Sequence, residues 1–247
     1  MQKIKVIGFI GLKGSGKDTC AQYLVDEKNF KRAAFADKLY REVAEAFDVS
    51  IEFLGNRDTK ETPLKELTIA NCKDTQFGAI IQELKNKELA IQRQERSEAI
   101  AQGRPVTAVV IPEEFSATDW LSPRQVMQFW GTDYKRKYVQ DSYWLDVVKD
   151  EIFNNPRDYV ITDVRFNNEA NFIETLNNQT IEIEGEVYVI NSQLIRIRRK
   201  KLEIAFDRLD QSKQHSSETE LRNRTVAIEL ENEEGNPDSL KKILTLI

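Results

Sequence analysis

The stretch that decides the fold is Gly11-Leu12-Lys13-Gly14-Ser15-Gly16-Lys17-Asp18-Thr19, which follows the apolar run 4–10. This pattern predicts a buried strand that ends in a glycine-rich turn and opens directly into a helix. Such a turn directs several backbone N–H groups and the positive end of the helix dipole at one point. The glycines let the backbone bend tightly, and Lys17 can place a compact positive charge against the outer phosphates of a nucleotide. The sequence therefore predicts a phosphate-binding loop.

The loop departs from the usual pattern G-x-x-x-x-G-K-[ST] at one position. Asp18 occupies the place of the hydroxyl residue that normally binds magnesium, and Thr19 comes one step late. A glycine turn with a solvated lysine is the alternative interpretation. The strand before the loop and the helical pattern of residues 19–25 after it favour the phosphate loop.

Composition places the chain among ordinary water-soluble α/β proteins. It has 247 residues, 40% of them apolar and 31% charged, and a net charge of -5. That length suits one large domain with an insertion better than two domains, and the charge gives no overall attraction to nucleic acid or membrane. The two cysteines, Cys20 and Cys72, are too few for a zinc site or a disulfide framework. With no long apolar run and no cleavable signal pattern, we expect a cytoplasmic protein.

Strand and helix patterns alternate through most of the chain. Further core strands are predicted at 30–35, 159–163, 194–197 and 225–230, with a hairpin over 180–190. Asp37 is a candidate cap for a helix that runs to residue 47. Ligands collect at the carboxyl ends of parallel strands, so we expect Asp163 beside the phosphate loop.

The pattern loosens between residues 50 and 120, which we interpret as an insertion. It contains a charged helix over 77–100, a break at Gly103-Arg104-Pro105 and a β-like run at 106–111. Beyond it, Ser122-Pro123 predicts a helix start, another helix is predicted over 142–152, and Asn236-Pro237 should cap a closing helix.

Cations are the residues to seek if the loop serves phosphoryl transfer. That reaction needs little covalent help, because its rate depends on holding donor and acceptor in line and on neutralising charge. The candidates are Lys13, Lys17, Lys60, Arg124, Arg165, Arg196, Arg198 and Arg199. Arg165 and the 196–199 group carry the most weight, since both follow strand ends at the edge where the loop is expected.

Five motifs in order carry a family resemblance. They are the loop 11–19, Ser122-Pro123-Arg124-Gln125-Val126-Met127-Gln128 running into Gly131-Thr132-Asp133, Tyr143-Trp144, the stretch 161–169 (ITDVRFNNE), and His215-Ser216-Ser217-Glu218. In this order they resemble the bacteriophage deoxynucleoside monophosphate kinases. Phosphate loops of that family have the form G-x-x-x-x-G-K-D-T, so the resemblance also accounts for Asp18.

The resemblance implies a three-layer P-loop kinase fold of the α/β class, with a five-stranded parallel core sheet and a largely helical insertion in the acceptor-binding region. It implies one domain over 1–247, with the insertion at about 50–120 and a lid at about 198–218. ATP and Mg²⁺ would be the cofactors, a deoxynucleoside monophosphate (dNMP) the acceptor, and a homodimer the assembly. The reaction would belong to deoxynucleotide metabolism.

By position, the resemblance also assigns site residues. ATP would be held by the loop residues Gly11, Gly14, Ser15, Gly16, Lys17, Asp18 and Thr19. Arg198 is added to this set because small kinases close an arginine-rich segment over ATP. The acceptor would be bound by Lys13, Lys60, Arg124, Gly131, Thr132, Trp144 and Asp163. Lys17, Asp163 and Arg165 would be catalytic, and Thr19 or Asp163 are the candidates for a direct magnesium ligand.

Several alternatives stay open at this level. Trp144 could be a core aromatic instead of a platform for base stacking, and the run 196–201 could be a solvated strand end instead of a lid. The chain could also phosphorylate another small acceptor, or act as a nucleotide-dependent switch. Against the switch, Val164 stands beside Asp163 where such proteins often keep a water-activating glutamate. Which bases are accepted is not determined by these patterns.

Overall fold

The computed structural model describes residues 1–107, 110–209, 216–234, 236 and 238–247. The chain divides into two compact units. The first comprises Met1–Asp37 and Trp144–Ile247, and the second is Lys38–Tyr143.

A six-stranded sheet forms the centre of the first unit. Its strands are β1 (Gln2–Ile10), β2 (Lys31–Ala33), β3 (Tyr159–Ile161), β4 (Thr180–Ile183), β5 (Glu186–Arg198) and β6 (Ile228–Glu231). Five of them are parallel in the order β2-β3-β1-β5-β6, and β4 pairs antiparallel with β5. The α/β prediction with a five-stranded parallel core is thus confirmed, with β4 as an added strand.

Helices cover both faces of this sheet. On one face, Ile7 and Phe9 of β1 pack with Cys20 and Leu24 of α1 (Lys17–Lys28) and with Ile243 of α10 (Ile243–Leu246). On the other face lies α7 (Asn167–Thr175), which contacts β1 and β5. Three layers result, as the resemblance implies. The remaining helices of this unit are most of α6 (Tyr143–Asn154), α8 (Lys200–Asp207), α9 (Ser216–Thr219) and a 3₁₀-helix at Ser239–Lys242. Pro237, part of the predicted final cap, lies outside the described residues.

Strand β5 differs from the sequence prediction. A hairpin over 180–190 and a separate strand over 194–197 were expected, but residues 186–198 form one strand. The polar triplet 191–193 interrupts the apolar pattern without interrupting the ladder. The Ser192 N–H donates to Asn177 Oδ1 at 3.2 Å and its hydroxyl donates to the Ile173 carbonyl at 2.5 Å. These partners satisfy the buried polar groups, so the strand continues beside β1.

Helix α2 (Ala36–Phe47) is capped in an unexpected way. We expected Asp37 to be the cap, but the helix already begins at Ala36. Asp163, which follows β3, accepts the Phe35 N–H at 2.9 Å and the Ala36 N–H at 2.8 Å. Asp37 instead faces Arg32 at 3.4 Å. The carboxylate that satisfies these first N–H groups is distant in sequence, so the local pattern could not identify it.

The second unit is mainly helical. After α2 come α3 (Ile51–Gly55), a 3₁₀-helix at Ile69–Asn71, the long α4 (Thr75–Ala101), α5 (Pro123–Gln128) and a π-helix at Phe129–Val139. Phe77 of α4 lies in its core against Phe47, Trp130 and Tyr134. The predicted start of α5 is confirmed, with Ser122 and Gln125 forming a reciprocal capping box.

Two details of this unit differ from the sequence prediction. The helical spacing after Ser122 predicts one α-helix, but the last part is an 11-residue π-helix, in which Gly131 packs against Leu39. Of the β-like run 106–111, residues 106, 107, 110 and 111 lie in no strand, and residues 108–109 lie outside the described part. No described helix is long and apolar enough to cross a membrane.

Candidate active site

The phosphate loop joins β1 to α1. Gly11 has φ 141° and Gly16 has φ 111°, a region that favours glycine. A Cβ at Gly11 would lie 2.3 Å from the Ile197 carbonyl oxygen, and one at Gly16 would lie 2.6 Å from Leu240 Cδ1. Sterics therefore require glycine at both ends of the turn.

Lys17 and Ser15 point their polar atoms into the loop. The Lys17 amino group donates to the Gly11 carbonyl at 2.7 Å and to the Leu12 carbonyl at 2.9 Å. Burial and the nearby positive charge of Arg165 lower the pKa of Lys17 to about 8. The Ser15 hydroxyl is buried without a hydrogen-bond partner. A phosphate oxygen would relieve both conditions, because it favours the protonated amine and accepts from the hydroxyl.

A pocket opens above this loop, lined by Lys13 and Lys17 of the loop and by Arg165, which follows β3. The other charged side chains of its lining are Arg196 of β5, Glu203 of α8, Glu218 of α9 and Arg222. Five cationic side chains and two carboxylates therefore meet in one cavity. Such a lining attracts anions, and it lies at the carboxyl edge of the parallel sheet.

Asp163 and Arg165 lie where β3 ends. Burial raises the pKa of the Asp163 carboxyl, whereas its two N–H partners and Arg165 lower it. The Arg165 side chain donates to Glu218 at 3.1 Å, and its backbone N–H donates to Glu169 at 2.7 Å. Asp163 thus holds the start of α2 while lying close enough to Lys17 to influence its charge.

The sequence predicted that the 196–199 group follows a strand end, but Arg196 and Arg198 lie within β5 and Arg199 comes directly after it. The three arginines have different environments. Arg196 is buried and lines the pocket, whereas Arg198 lies outside its lining and pairs with Glu203 at 2.7 Å and with Glu229 at 3.0 Å. Arg199 approaches the loop, with Nη1 3.5 Å from the Gly14 carbonyl. Leu202 of α8 lies 3.5 Å from the Cβ position of Gly14, so α8 packs over the phosphate loop. Residues 210–215 of the predicted lid, including His215, lie outside the described residues.

Lys60 and Arg124 of the second unit are brought together. The Arg124 N–H donates to the Lys60 carbonyl at 3.0 Å, and its side chain pairs with Glu61 at 2.5 Å. The Lys60 amino group donates to the Tyr40 hydroxyl at 2.8 Å. Gly131 and Thr132 lie on the π-helix, a rare conformation found often at functional sites. Trp144 belongs to α6 in the first unit and is only 3% exposed, which favours a packing role.

Glu42 is the centre of a polar cluster in the second unit. Its carboxylate accepts from Trp130 Nε1 at 3.0 Å and from the Tyr143 hydroxyl at 2.5 Å. Lys38 and Lys135 lie 3.6 and 3.7 Å away. Burial and the hydrogen bond to Glu42 raise the pKa of Tyr143. This cluster ties α2 to the π-helix that carries Gly131 and Thr132.

Three residues around the pocket were missed by the sequence reasoning. The Asn232 amide donates to the Ser15 carbonyl at 2.8 Å and so braces the loop from the end of β6. Glu203 and Arg222 line the pocket itself. Asn232 could have been found, since a polar residue after a parallel strand marks the carboxyl edge; the other two have no such signal.

Donors for a metal are sparse in this region. Among the described residues, no group of three or more His, Cys, Asp or Glu side chains could hold an ion. Asp18 and Thr19 lie exposed in the first turn of α1. This donor set fits Mg²⁺, which commonly binds through nucleotide phosphates, water and one or two protein oxygens.

A parallel sheet with a glycine-rich loop after its first strand and a cationic pocket at its carboxyl edge defines a P-loop nucleotide-binding protein. The family model described as deoxynucleotide monophosphate kinase matches residues 5–205, so the chain belongs to that family. It is an enzyme that phosphorylates deoxynucleoside monophosphates with ATP as co-substrate.

Individual relatives are similar at modest identity. A putative deoxynucleotide monophosphate kinase of Acanthamoeba polyphaga mimivirus is 29% identical over 192 residues, which cover 72% of this chain and 73% of the relative. The deoxynucleoside-5'-monophosphate kinase of Escherichia phage T5 is 27% identical over 193 residues, or 70% of this chain and 73% of its own. A solved gluconokinase structure from Sinorhizobium meliloti 1021 aligns over 99% of this chain and 92% of its own at 8% identity. Its TM-score of 0.35 is too low to carry a conclusion.

Proposed function

We propose that the pocket above the phosphate loop transfers the γ-phosphoryl group of Mg²⁺-bound ATP to the 5'-phosphate of a dNMP, which gives ADP and the deoxynucleoside diphosphate. The observation that carries this proposal is the meeting of Lys13, Lys17 and Arg165 in one cavity at the carboxyl edge of the sheet. Phosphoryl transfer depends on such convergent positive charge, because the transition state spreads negative charge over the phosphoryl oxygens.

The donor site consists of the loop and the start of α1. Backbone N–H groups around Gly14, Ser15 and Gly16 hold the phosphates, with Gly11 shaping the turn. Lys17 exchanges its two carbonyl partners for phosphate oxygens, and the Ser15 hydroxyl gains its missing acceptor. Asp18 and Thr19 complete the ATP contacts that the family resemblance assigns, and Arg198 joins them as an arginine of the lid.

Magnesium would be held by the ATP phosphates, with Thr19 or Asp163 as the candidate protein ligands. When bound, the ion neutralises phosphate charge and fixes the geometry of the transferred group. Asp163 already accepts two backbone N–H groups, so its main task is to hold the start of α2. Arg165 places a guanidinium beside the reacting phosphoryl group.

For the acceptor, the family resemblance assigns Lys13 of the phosphate loop. Lys60 and Arg124 supply positive charge for the 5'-phosphate, and Gly131 and Thr132 line the nucleoside site. Trp144 and Phe166 are the bulky candidates for a wall that excludes a ribose 2'-hydroxyl; Phe166, partly exposed just before α7, suits that role better than the buried Trp144. In this proposal the whole chain acts as one kinase domain, in which residues 50–120 serve the acceptor and residues 198–218 form the lid.

Replacing Lys17 by alanine tests this proposal. We expect turnover with ATP and a dNMP to fall by at least about 100-fold, since the variant loses charge stabilisation at the transition state. Thermal unfolding should stay close to that of the wild type, because the side chain contributes little packing. Turnover reduced by less than tenfold would overturn the assignment. Lys5→Ala removes a lysine remote from the loop, whose amino group bonds the Ile247 carbonyl, and is the matched control.

A further inference from the structure

We propose that Arg222 contacts the transferred phosphoryl group as a further catalytic residue, and that the buried Arg196 is the positioning residue that presents it. This inference rests on the proposed function.

Arg222 lies at the phosphate pocket but is held by carboxylates of α8. Its Nη2 donates to the two Asp207 oxygens at 2.8 and 3.1 Å, and its Nη1 lies 3.5 Å from Glu203. Its side chain is 23% exposed and lines the cavity that contains Lys17. A guanidinium has five N–H donors, so the bonds to α8 leave capacity for phosphate oxygens.

Arg196 fixes the backbone that carries Arg222. Its Nη2 donates to the Leu221 carbonyl at 3.1 Å and also to the Arg224 carbonyl. Its Nε pairs with Glu229 at 3.3 Å. The side chain is 8% exposed, and burying a guanidinium is costly unless its donors are satisfied. Its partners lie on both sides of residue 222, so β5 holds this segment against the pocket.

Arg222 suits the catalytic role better than Arg198. Arg198 lies outside the pocket lining, where Glu203 and Glu229 hold it. Arg165 approaches the same pocket from the end of β3 and is paired with Glu218. Arg165 and Arg222 therefore both lie at the cavity that contains Lys17, and each is paired with carboxylates. Phosphates would compete with those carboxylates, and the forked geometry suits phosphoryl oxygens.

Arg222→Ala, Arg222→Lys and the control Arg224→Ala test the catalytic role. Arg224 is two residues further along and pairs with Glu174 at 2.6 Å, and it is absent from the lining of the phosphate pocket. For Arg222→Ala we expect kcat to fall by about 100-fold or more, with the Kd for ATP changed by less than about fivefold. Arg222→Lys should recover only part of kcat, because it keeps the charge without the fork. Arg224→Ala should keep kcat within about threefold of the wild type.

Arg196→Met tests the positioning role. If Arg196 acts through Arg222, the single variant should lose most of kcat, and the double variant Arg196→Met/Arg222→Ala should be no slower than Arg222→Ala alone. Equal losses in the Arg222→Ala and Arg224→Ala variants, or additive losses in the double variant, would overturn the inference. A wild-type chain that releases no ADP in the presence of a dNMP would overturn the proposed function, and this inference with it. An active wild type with a fully active Arg222→Ala variant would overturn this inference alone.

Discussion

Lys17 is the residue at which charge and burial compete most directly. Its ammonium group donates to two loop carbonyls, yet burial lowers its pKa from 10.5 to about 8. Lys17 therefore loses its proton at a lower pH than an ordinary lysine does. ATP binding requires the charged form, because the ammonium must face phosphate oxygens.

We predict that the affinity for ATP falls as pH rises above about 8, by up to about tenfold per pH unit, since binding must then take up a proton. Calorimetric Kd values between pH 7 and 9.5 measure this. Lys17→Arg stays charged throughout and should lack the decline. Between pH 8 and 10.5 the unfolded chain binds more protons at this site than the folded one. The stability of the wild type relative to Lys17→Met should therefore rise across that range. Parallel affinity curves for the wild type and Lys17→Arg would contradict the account.

We expect Asp163 to contribute both to stability and to turnover. Asn in its place keeps only one acceptor oxygen for the Phe35 and Ala36 N–H groups, so we expect Asp163→Asn to lose about 1–2 kcal/mol of unfolding free energy. Turnover should fall far more than the affinity for ATP. The control Asp37→Asn, whose partner Arg32 is an exposed side chain 3.4 Å away, should cost at most about 0.5 kcal/mol. Equal stability of the two variants in urea unfolding would contradict the capping role.

Residues near a strand end could be located from the sequence, and residues brought there by tertiary structure could not. Lys17, Asp163 and Arg165 follow predicted parallel strands, so the carboxyl-edge rule placed them together. Arg222 reaches the same pocket only because Arg196 bonds the carbonyls around it. No spacing in the sequence encodes that bond.

At the scale of elements, the turn between β1 and α1 depends on glycine for space as well as for φ. We predict that Gly11→Ala lowers the unfolding free energy by about 2–4 kcal/mol, because an added Cβ would lie 2.3 Å from the Ile197 carbonyl oxygen. Gly185 provides the matched control. It also has positive φ, 82°, but nothing lies within 4 Å of an added Cβ. Gly185→Ala should cost only about 1 kcal/mol. Chemical denaturation measures both, and equal losses would contradict a steric cause.

Element boundaries were predicted well where local chemistry sets them and poorly where distant contacts do. Ser122-Pro123 begins α5 as expected, because a capping box is a local device. The start of α2 depends on Asp163. The continuity of β5 depends on Ile173 and Asn177. These partners lie far away in the sequence from the elements that they stabilise. The apolar residues of the π-helix have a spacing that is also compatible with an α-helix, so the sequence pattern alone could not distinguish the two kinds of helix.

At the scale of the molecule, the alternation of strands and helices predicted a parallel core sheet, and the alternation over 180–190 predicted the hairpin that adds the antiparallel β4. The two compact units divide after Asp37 and after Tyr143, whereas the loosening of the sequence pattern placed the insertion at about 50–120. The difference arises because α2 begins beside the sheet and most of its length belongs to the second unit. A continuous helix gives no break in pattern at that boundary.

Assembly as a homodimer stays a prediction of the family resemblance. Ile91 and Ile100 of α4 are each 57% exposed, which makes the outer half of α4 the candidate contact. We expect light scattering to give the mass of a dimer for the wild type and of a monomer for Ile91→Asp/Ile100→Asp. Glu95→Asp keeps the charge on this helix and should leave the dimer intact. A monomeric wild type would contradict the prediction.

Direct detection of the diphosphate product tests whether this pocket phosphorylates deoxynucleoside monophosphates. Purified protein, ATP and Mg²⁺ are incubated with each of the four dNMPs and their ribose counterparts, and diphosphates are separated and quantified. We expect conversion of more than one dNMP, with kcat/KM at least about tenfold above that of the matching ribonucleotide. This ratio corresponds to a difference of roughly 1.4 kcal/mol in transition-state stabilisation between the two substrates. Equal conversion of ribonucleotides, or ATP hydrolysis as fast without any acceptor, would contradict this expectation.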